Sequence, residues 1–153
     1  MPTILAQTNS KPNVIIIYTD DQGAFDLGAY GAKDIYSPSL DQLAKEGTRF
    51  TQAYVAAPVC APSRAALLTG KYPQNAGVTG NTSASPDSHG LKKGQLTIAK
   101  LFKENGYHTG HIGKWHLGMS EESSPHAQGF NYSFGHLRGC TDNYSHFFLL
   151  GRP

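Results

Sequence analysis

The amino-acid sequence has few cysteines, and their spacing excludes two common uses of that residue. Only Cys60 and Cys140 occur among the 153 residues. Two cysteines this far apart form neither the disulfide framework of a small secreted domain nor the ligand pattern of a structural zinc site. On composition alone, each is expected to be a small buried side chain.

The sequence also lacks an excess of charge and any long apolar run. Its 13 basic and 11 acidic residues give a net charge of +2, and Lys92-Lys93 is the only adjacent basic pair. This balance predicts no nucleic-acid partner and no membrane-surface patch. No apolar run reaches the length that a membrane-spanning helix needs, so no membrane span is predicted. Neither low-complexity sequence nor an internal repeat is present.

The chain is long enough for one hydrophobic core, which predicts a single domain or part of a larger one. Residues 1–12 are interpreted as a flexible N-terminus or the remnant of an export signal. Their apolar segment, Ile4-Leu5-Ala6, is too short for a complete signal. Residues 13–153 are interpreted as the folded portion.

The first half of this portion has the pattern of a strand, a helix and a second strand. Residues 14–18 form an uninterrupted, mostly β-branched apolar run, which is typical of a strand buried on both faces. Ser37-Pro38 predicts a helix start and Gly47 its end. Residues 48–55 are again prone to strand formation. This order predicts a crossover unit with parallel strands.

The second half continues the alternation. A short helix is predicted over residues 63–69, and residues 71–94 are predicted to be a long irregular connection, which is often functional. Thr97 is the expected cap of another helix that stops at Gly106, and residues 107–112 are predicted to be a strand. The whole pattern predicts an α/β fold with a mostly parallel sheet flanked by helices.

Asp20 and Asp21 follow the first predicted strand, while Lys114 and His116 follow the last one. Because loops at the carboxyl ends of parallel strands lie at one edge of the sheet, these residues are candidates for a shared site. Adjacent carboxylates repel unless a cation lies between them, so the aspartates are candidate ligands of a hard divalent ion. A helix cap or a solvated turn is the alternative.

Cys60 is the candidate nucleophile. It lies where a helix is predicted to begin, and the N–H groups of a helix start favour an anion. Arg64 lies about one turn later and is placed to reach back toward it. The residues alone leave two interpretations of Cys60 open: a nucleophile or a cysteine buried in a loop.

Lys114 and His116 flank Trp115 in a loop bounded by glycines. A cation beside an imidazole suits anion binding combined with proton transfer. The Gly113-Lys114 pair is not a phosphate-binding P-loop, because Trp115 replaces the required hydroxyl residue and His108 stands where that motif needs glycine. An ordinary loop remains the alternative.

These candidates occur in an order that resembles the type I sulfatases of the alkaline phosphatase-like superfamily. Cys60-Ala61-Pro62-Ser63-Arg64, with Leu68-Thr69-Gly70, resembles their Cys-x-Pro-Ser-Arg signature. Gly113-Lys114-Trp115-His116-Leu117-Gly118 resembles their second signature, and residues 12–23 resemble their opening strand and metal site. The resemblance extends from about Lys11 to the end of the chain. Members are much longer, so the sequence is interpreted as the N-terminal part of the catalytic domain, with an incomplete sheet.

The resemblance implies a chemistry for each motif. In that family the signature cysteine becomes a formylglycine, whose hydrate attacks the sulfur of a sulfate ester and then expels sulfate. Ca²⁺ or Mg²⁺ is expected on Asp20, Asp21 and the modified Cys60. Arg64 would steady the modified residue, Lys114 would bind sulfate and His116 would assist release.

The resemblance also implies partners and a location. A small-molecule or carbohydrate sulfate ester is the expected substrate, and a formylglycine-generating enzyme is the expected modifier. A periplasmic or secreted protein is expected. Asp142 and His146 are weak candidates for substrate contact, because residues 140–146 resemble a segment of sulfatases that act on sulfated sugars. The alternatives are a phosphoester or phosphonate hydrolase and an inactive fragment.

Overall fold

The computed structural model describes residues 11–83, 85, 90–142 and 144–145. The chain divides into two compact units, Met1–Thr51 and Gln52–Pro153. The candidate aspartates belong to the first unit, and the remaining candidate site residues belong to the second.

The first unit contains a single 3-10 turn, Gly28–Tyr30, and helix α1, Pro38–Glu46, within its described residues 11–51. Asp41 ties the two together, because its Oδ1 accepts hydrogen bonds from the Ala29 N–H at 2.6 Å and from the Ser37 hydroxyl at 3.1 Å. The N–H of Gly47 closes the helix on the Leu43 carbonyl at 2.9 Å. The predicted helix is confirmed.

The two strands predicted in this region are wrong. Residues 14–18 and 48–55 carry no strand assignment, and Ile15 is 84% exposed. A strand exists through its backbone ladder with a neighbour, which β-branched composition alone does not supply. Residues 48–51 instead make side-chain contacts: the Arg49 guanidinium donates to the Ala29 carbonyl, and the Tyr30 hydroxyl donates to the Phe50 carbonyl at 3.2 Å.

The second unit begins with helix α2, Cys60–Thr69, and the single turn α3, Pro73–Ala76. The predicted start of α2 at residue 63 is wrong by three residues. Val59 is extended, and the Ser63 N–H donates to its carbonyl at 3.2 Å, so the first turn already includes Cys60. Pro62 is tolerated there because N–H groups of the first turn have no partner inside the helix. Turn α3 lies inside the connection that was predicted to be irregular.

Helix α4, Ile98–Glu104, confirms the cap predicted at Thr97. The Thr97 hydroxyl oxygen accepts from the Lys100 N–H at 3.2 Å, as an N-cap does, and the hydroxyl donates to the Gln128 carbonyl at 2.6 Å. The helix ends at Glu104, so Gly106 lies two residues beyond it. The cap therefore starts the helix and also attaches it to the chain near residue 128.

Strands β1, Gly110–Lys114, and β2, Tyr132–His136, form a parallel pair. Gly110 pairs with Tyr132 and Lys114 with His136. The strand predicted over residues 107–112 is thus present, but it runs later, to Lys114. A parallel pair accompanied by helices confirms the predicted α/β class.

The core of the second unit lies directly beneath its candidate site residues. Small side chains of α2 pack against the segment that follows β1, and Trp115 is 2% exposed. The Trp115 indole N–H donates to the Ser123 carbonyl at 2.8 Å, which satisfies its polar atom inside the core. The buried apolar cluster consists of Ala61, Ala65, Ala76, Val78, Leu91, Trp115 and Leu117.

Candidate active site

Cys60 is the first residue of α2 and is half-buried with a free thiol. The next residues, Ala61, Pro62 and Ser63, are buried, so the start of the helix is anchored in the core. The Ala61 N–H donates to the Asn81 side-chain oxygen at 3.2 Å. The helix thus presents Cys60 at the edge of the core on a fixed backbone.

Arg64 lies one turn further along α2 and links that helix to the end of β1. Its Nη1 donates to the Lys114 carbonyl oxygen at 2.7 Å. A hydrogen bond from a guanidinium to a carbonyl is stronger than a neutral one, and it fixes the helix carrying Cys60 relative to the backbone of Lys114. Two of the sequence-predicted residues, Arg64 and Lys114, are therefore in direct contact.

Lys114 and His116 occupy the segment where β1 ends, and β2 supports this segment through backbone hydrogen bonds. The Trp115 N–H donates to the His136 carbonyl at 2.9 Å, and the His116 N–H donates to the Leu137 carbonyl at 3.1 Å. His116 is only 5% exposed, whereas Lys114 is half-buried. The parallel pairing therefore continues past the strands and sets the backbone of both residues.

The imidazole of His116 packs directly against the backbone of Gly139. A Cβ atom added at Gly139 would lie 2.4 Å from both Cε1 and Nε2 of the ring. Real Cβ atoms essentially never approach that closely, so a side chain at position 139 would displace the ring from this position. Sequence reasoning missed this residue, because no local pattern connects positions 116 and 139.

His111 is a second residue that sequence reasoning missed. Its ring lies edge-on to Trp115 with centroids 5.1 Å apart, and its Nε2 lies 3.4 Å from the Lys114 carbonyl oxygen. Burial lowers the pKa of His111, the hydrogen bond to the Lys114 backbone opposes that shift, and the charges of Arg64 and His136 lower the pKa further. The neutral imidazole is therefore favoured beside the cationic residues.

Asp20 and Asp21 of the first unit form an exposed bend after residues 14–18. Asp21 has φ 50° and His116 has φ 56°; in the part of the chain that the structure describes, these are the two non-glycine residues with positive φ. Such a conformation costs on the order of 1 kcal/mol, and it is found at functional sites more often than elsewhere. Both residues are among those singled out from the sequence.

The two remaining candidates lie near the end of the described chain. The Asp142 carboxylate is half-buried and accepts from the backbone N–H groups of Tyr144 at 2.8 Å and Ser145 at 3.2 Å, which is a local turn. His146 lies outside the described residues. Cys140 is exposed with a free thiol.

Within the second unit the arrangement suits an anionic ligand. The cationic side chains of Arg64 and Lys114 come from neighbouring elements, and the buried imidazole of His116 follows two residues later. Cationic side chains can bind an oxyanion, and an imidazole can move a proton. Cys60 lies one helical turn from Arg64 and is the candidate nucleophile.

A sequence model of the family described as Sulfatase matches residues 12–146 of the chain. The chain belongs to the sulfatase family. This is the formylglycine-type family of the alkaline phosphatase-like superfamily.

Similar proteins agree with this assignment. The chain is 43% identical to steryl-sulfatase of Homo sapiens over 157 aligned residues, which cover 93% of the chain and 27% of that enzyme. The crystal structure of Ps i-CgsB superposes with a TM-score of 0.82 at 46% identity, over 87% of the chain and 30% of the other protein. The structure of BT4656 in complex with its substrate D-glucosamine-2-N,6-O-disulfate has a TM-score of 0.68 at 36% identity. The superposition covers 81% of the chain and 23% of BT4656.

The sulfatase chain spans about a quarter of the length of the curated relatives it matches. The residues matched by the family model include Cys60 and Lys114. The helices within residues 11–83, 85, 90–142 and 144–145 are all too short or too polar to cross a membrane.

Proposed function

We propose that the protein hydrolyses sulfate esters through a formylglycine made from Cys60. The observation that carries this proposal is the hydrogen bond from Arg64 to the Lys114 carbonyl, which joins the two signature segments of the family in one place. Three residue types that the chemistry requires are thereby supplied by the two segments: a nucleophile precursor, a cation and an imidazole.

In the proposed reaction the modified Cys60 carries a geminal diol. One hydroxyl oxygen attacks the sulfur of the ester, the S–O bond to the alcohol breaks, and the alcohol leaves with a proton. The second hydroxyl then loses its proton, the C–O bond to sulfate breaks, and an aldehyde and free sulfate result. Addition of one water molecule to the aldehyde restores the diol for the next turnover. A thiol has no second hydroxyl for this release, so the modification is essential to turnover.

The neighbouring residues take roles that match their chemistry. Lys114 donates hydrogen bonds to sulfate oxygens, and Arg64 adds positive charge while it holds the Lys114 backbone. His116 accepts the proton of the second hydroxyl, a role for which a buried imidazole is suited. Burial keeps bulk water away from this proton transfer.

Asp20, Asp21 and the modified Cys60 would hold a divalent cation, Ca²⁺ or Mg²⁺. Their donor set fits, because carboxylate oxygens are the preferred ligands of these hard ions and both carboxylates are exposed to an incoming ion. When bound, the cation supplies positive charge that polarises the sulfate ester.

A sulfated carbohydrate is the proposed substrate class. BT4656, at 36% identity, was solved with a disulfated glucosamine as its substrate. Asp142 or His146 would contact the sugar. The proposed modifier is a formylglycine-generating enzyme that reads Cys60, Pro62 and Arg64, and the proposed location is the periplasm or the extracellular space.

The test is turnover by the protein expressed from its full reading frame together with a formylglycine-generating enzyme. Aryl sulfate is expected to be cleaved faster than aryl phosphate. Cys60→Ala is expected to lower kcat by more than about 1,000-fold, since the nucleophile is removed. Cys140→Ala is the matched control, because that thiol is exposed and lies outside the signature.

Two results would contradict the proposal. Preference for the phosphate ester would reassign the protein as a phosphoester hydrolase, and sulfatase activity that survives Cys60→Ala would exclude the proposed nucleophile. The 153-residue chain assayed alone shows whether it is active by itself.

A further inference from the structure

Two adjacent residues in the connection between α3 and α4 contact both parts of the candidate site. The Asn81 Oδ1 accepts from the Ala61 N–H at 3.2 Å, next to Cys60. The Thr82 hydroxyl donates to the His116 carbonyl oxygen at 3.4 Å. We call this pair the Asn81-Thr82 clamp. One dipeptide thus connects the helix that carries the nucleophile precursor with the loop that carries the imidazole.

Helix α2 needs an acceptor at its start. Its N-cap residue is Val59, whose side chain makes no capping hydrogen bond. N–H groups of the first turn have no partner inside a helix, and an asparagine side chain is among the best acceptors for them. Asn81 supplies that acceptor from twenty residues further along the chain. Its hydrogen bond therefore satisfies an N–H group at the helix start and also attaches the connection to that start.

His116 needs support of a different kind. Its backbone has φ 56°, a conformation that few residues with a Cβ adopt. The direction of its carbonyl determines where the peptide chain turns and therefore where the imidazole projects. The hydrogen bond from Thr82 holds that carbonyl from outside the β1 and β2 ladder.

The connection that carries the clamp is itself anchored on both sides. Val78 is 4% exposed and Leu91 is fully buried, and both belong to the core cluster. The Leu91 N–H donates to the Leu117 carbonyl at 2.9 Å, one residue beyond His116. Asn81 and Thr82 therefore lie on a segment whose two ends are buried in the same core that supports the site.

We infer that the Asn81-Thr82 clamp is a positioning device that sets the placement of His116 relative to Cys60. This inference rests on the proposed function, because it assigns the clamp to the step in which His116 takes a proton from the modified Cys60. Neither clamp residue is assigned contact with substrate. Loss of the clamp therefore lowers kcat and leaves KM unchanged.

The experiment uses two matched pairs of variants of the protein expressed from its full reading frame with a formylglycine-generating enzyme. Thr82→Val removes the hydroxyl at nearly constant shape, and Thr82→Ser retains it. Asn81→Leu removes the amide next to Cys60, and Asn105→Leu removes an amide that donates to the Leu101 carbonyl at the end of α4. The readouts are kcat and KM with an aryl sulfate, and the modified fraction of Cys60 by mass spectrometry.

Thr82→Val and Asn81→Leu are expected to lower kcat per modified enzyme by about three- to tenfold, the range for one neutral hydrogen bond. Thr82→Ser and Asn105→Leu are expected to remain within about twofold of the parent, the scatter of changes away from such contacts. The double variant is expected to lose less than the product of the two single losses, because either break disconnects the helix from the loop. If Asn81→Leu fails to fold, the Thr82 pair still decides.

The inference is overturned if kcat of Thr82→Val equals that of Thr82→Ser while Cys60→Ala is inactive. It is also overturned if KM rises while kcat is unchanged, since that would assign the clamp to binding. Both results leave the proposed function standing. Activity that survives Cys60→Ala would instead remove the proposed function itself.

Discussion

Gly139→Ala is the substitution whose effect follows most directly from the structure. The added Cβ would lie 2.4 Å from Cε1 and Nε2 of His116, whereas ordinary contacts begin at 3.4 Å. The ring must therefore withdraw by about 1 Å. His116 is 5% exposed and its backbone is held by Leu137, so the ring has little space into which it can move.

A displacement of this size is large for the proton-transfer role proposed for His116. A misplacement of about 1 Å in a reacting group can cost about 100-fold in rate, so kcat of Gly139→Ala is expected to fall by roughly 10- to 100-fold. KM is expected to change little, because Lys114, the proposed sulfate-binding residue, remains in place. The assay is steady-state turnover of an aryl sulfate by the modified protein, with thermal unfolding recorded for each variant.

Gly110→Ala is the matched control for this experiment. Gly110 is the first residue of β1, and a Cβ added there would meet nothing within 4 Å. Its kcat is expected to remain within about twofold of the parent. The reasoning is refuted if Gly139→Ala keeps the parent kcat, or if both alanine variants lose activity equally, since neither result would assign a role to the His116 ring position.

Three further predictions concern pH and the metal. Because the pKa of His111 is lowered below 6.5 in the folded protein, the unfolded chain binds more protons, and stability falls as the pH drops below about 6.5. His111→Phe keeps the packing on Trp115. Its free energy of unfolding in urea is expected to fall less than that of the parent protein between pH 8 and pH 5.5. Equal falls in the variant and the parent would contradict the assignment. Removal of divalent ions by a chelator is expected to abolish turnover, and Ca²⁺ or Mg²⁺ is expected to restore it, whereas a chelator already saturated with Ca²⁺ should have no effect. Asp21→Asn, which tolerates the left-handed backbone, is expected to raise the Ca²⁺ concentration for half-maximal activity by more than about tenfold. An unchanged Ca²⁺ requirement would exclude Asp21 from the proposed metal site.

Those parts of the fold that depend on local chemistry could be predicted from the sequence. Pro38 and Thr97 mark helix starts that the structure confirms, and the run before Lys114 is a strand. Residues 14–18 look like a strand by composition alone, yet pairing is a long-range property and the described chain supplies no ladder for them. Strand β2 escaped prediction for the opposite reason: its segment 132–136 contains a glycine and a histidine and becomes a strand through its register with β1.

The candidate site divides in the same way. Four candidate residues lie in short sequence motifs, so their roles could be predicted from the neighbouring residues. They are Cys60, Arg64, Lys114 and His116. Gly139 acts because its backbone lies close to the ring of His116, which is far from it in sequence. The Asn81-Thr82 clamp likewise acts through contacts with residues that are distant in sequence. Such residues can be identified only from the folded structure.

The most direct test of the central claim is the mass of the peptide that contains Cys60. The protein is expressed from its full reading frame with and without a formylglycine-generating enzyme, and the peptide is compared with the one that contains Cys140. The account predicts that co-expression replaces the Cys60 thiol by an aldehyde, leaves Cys140 a thiol, and raises sulfatase activity in proportion to the modified fraction. Full sulfatase activity with Cys60 still a thiol would contradict it.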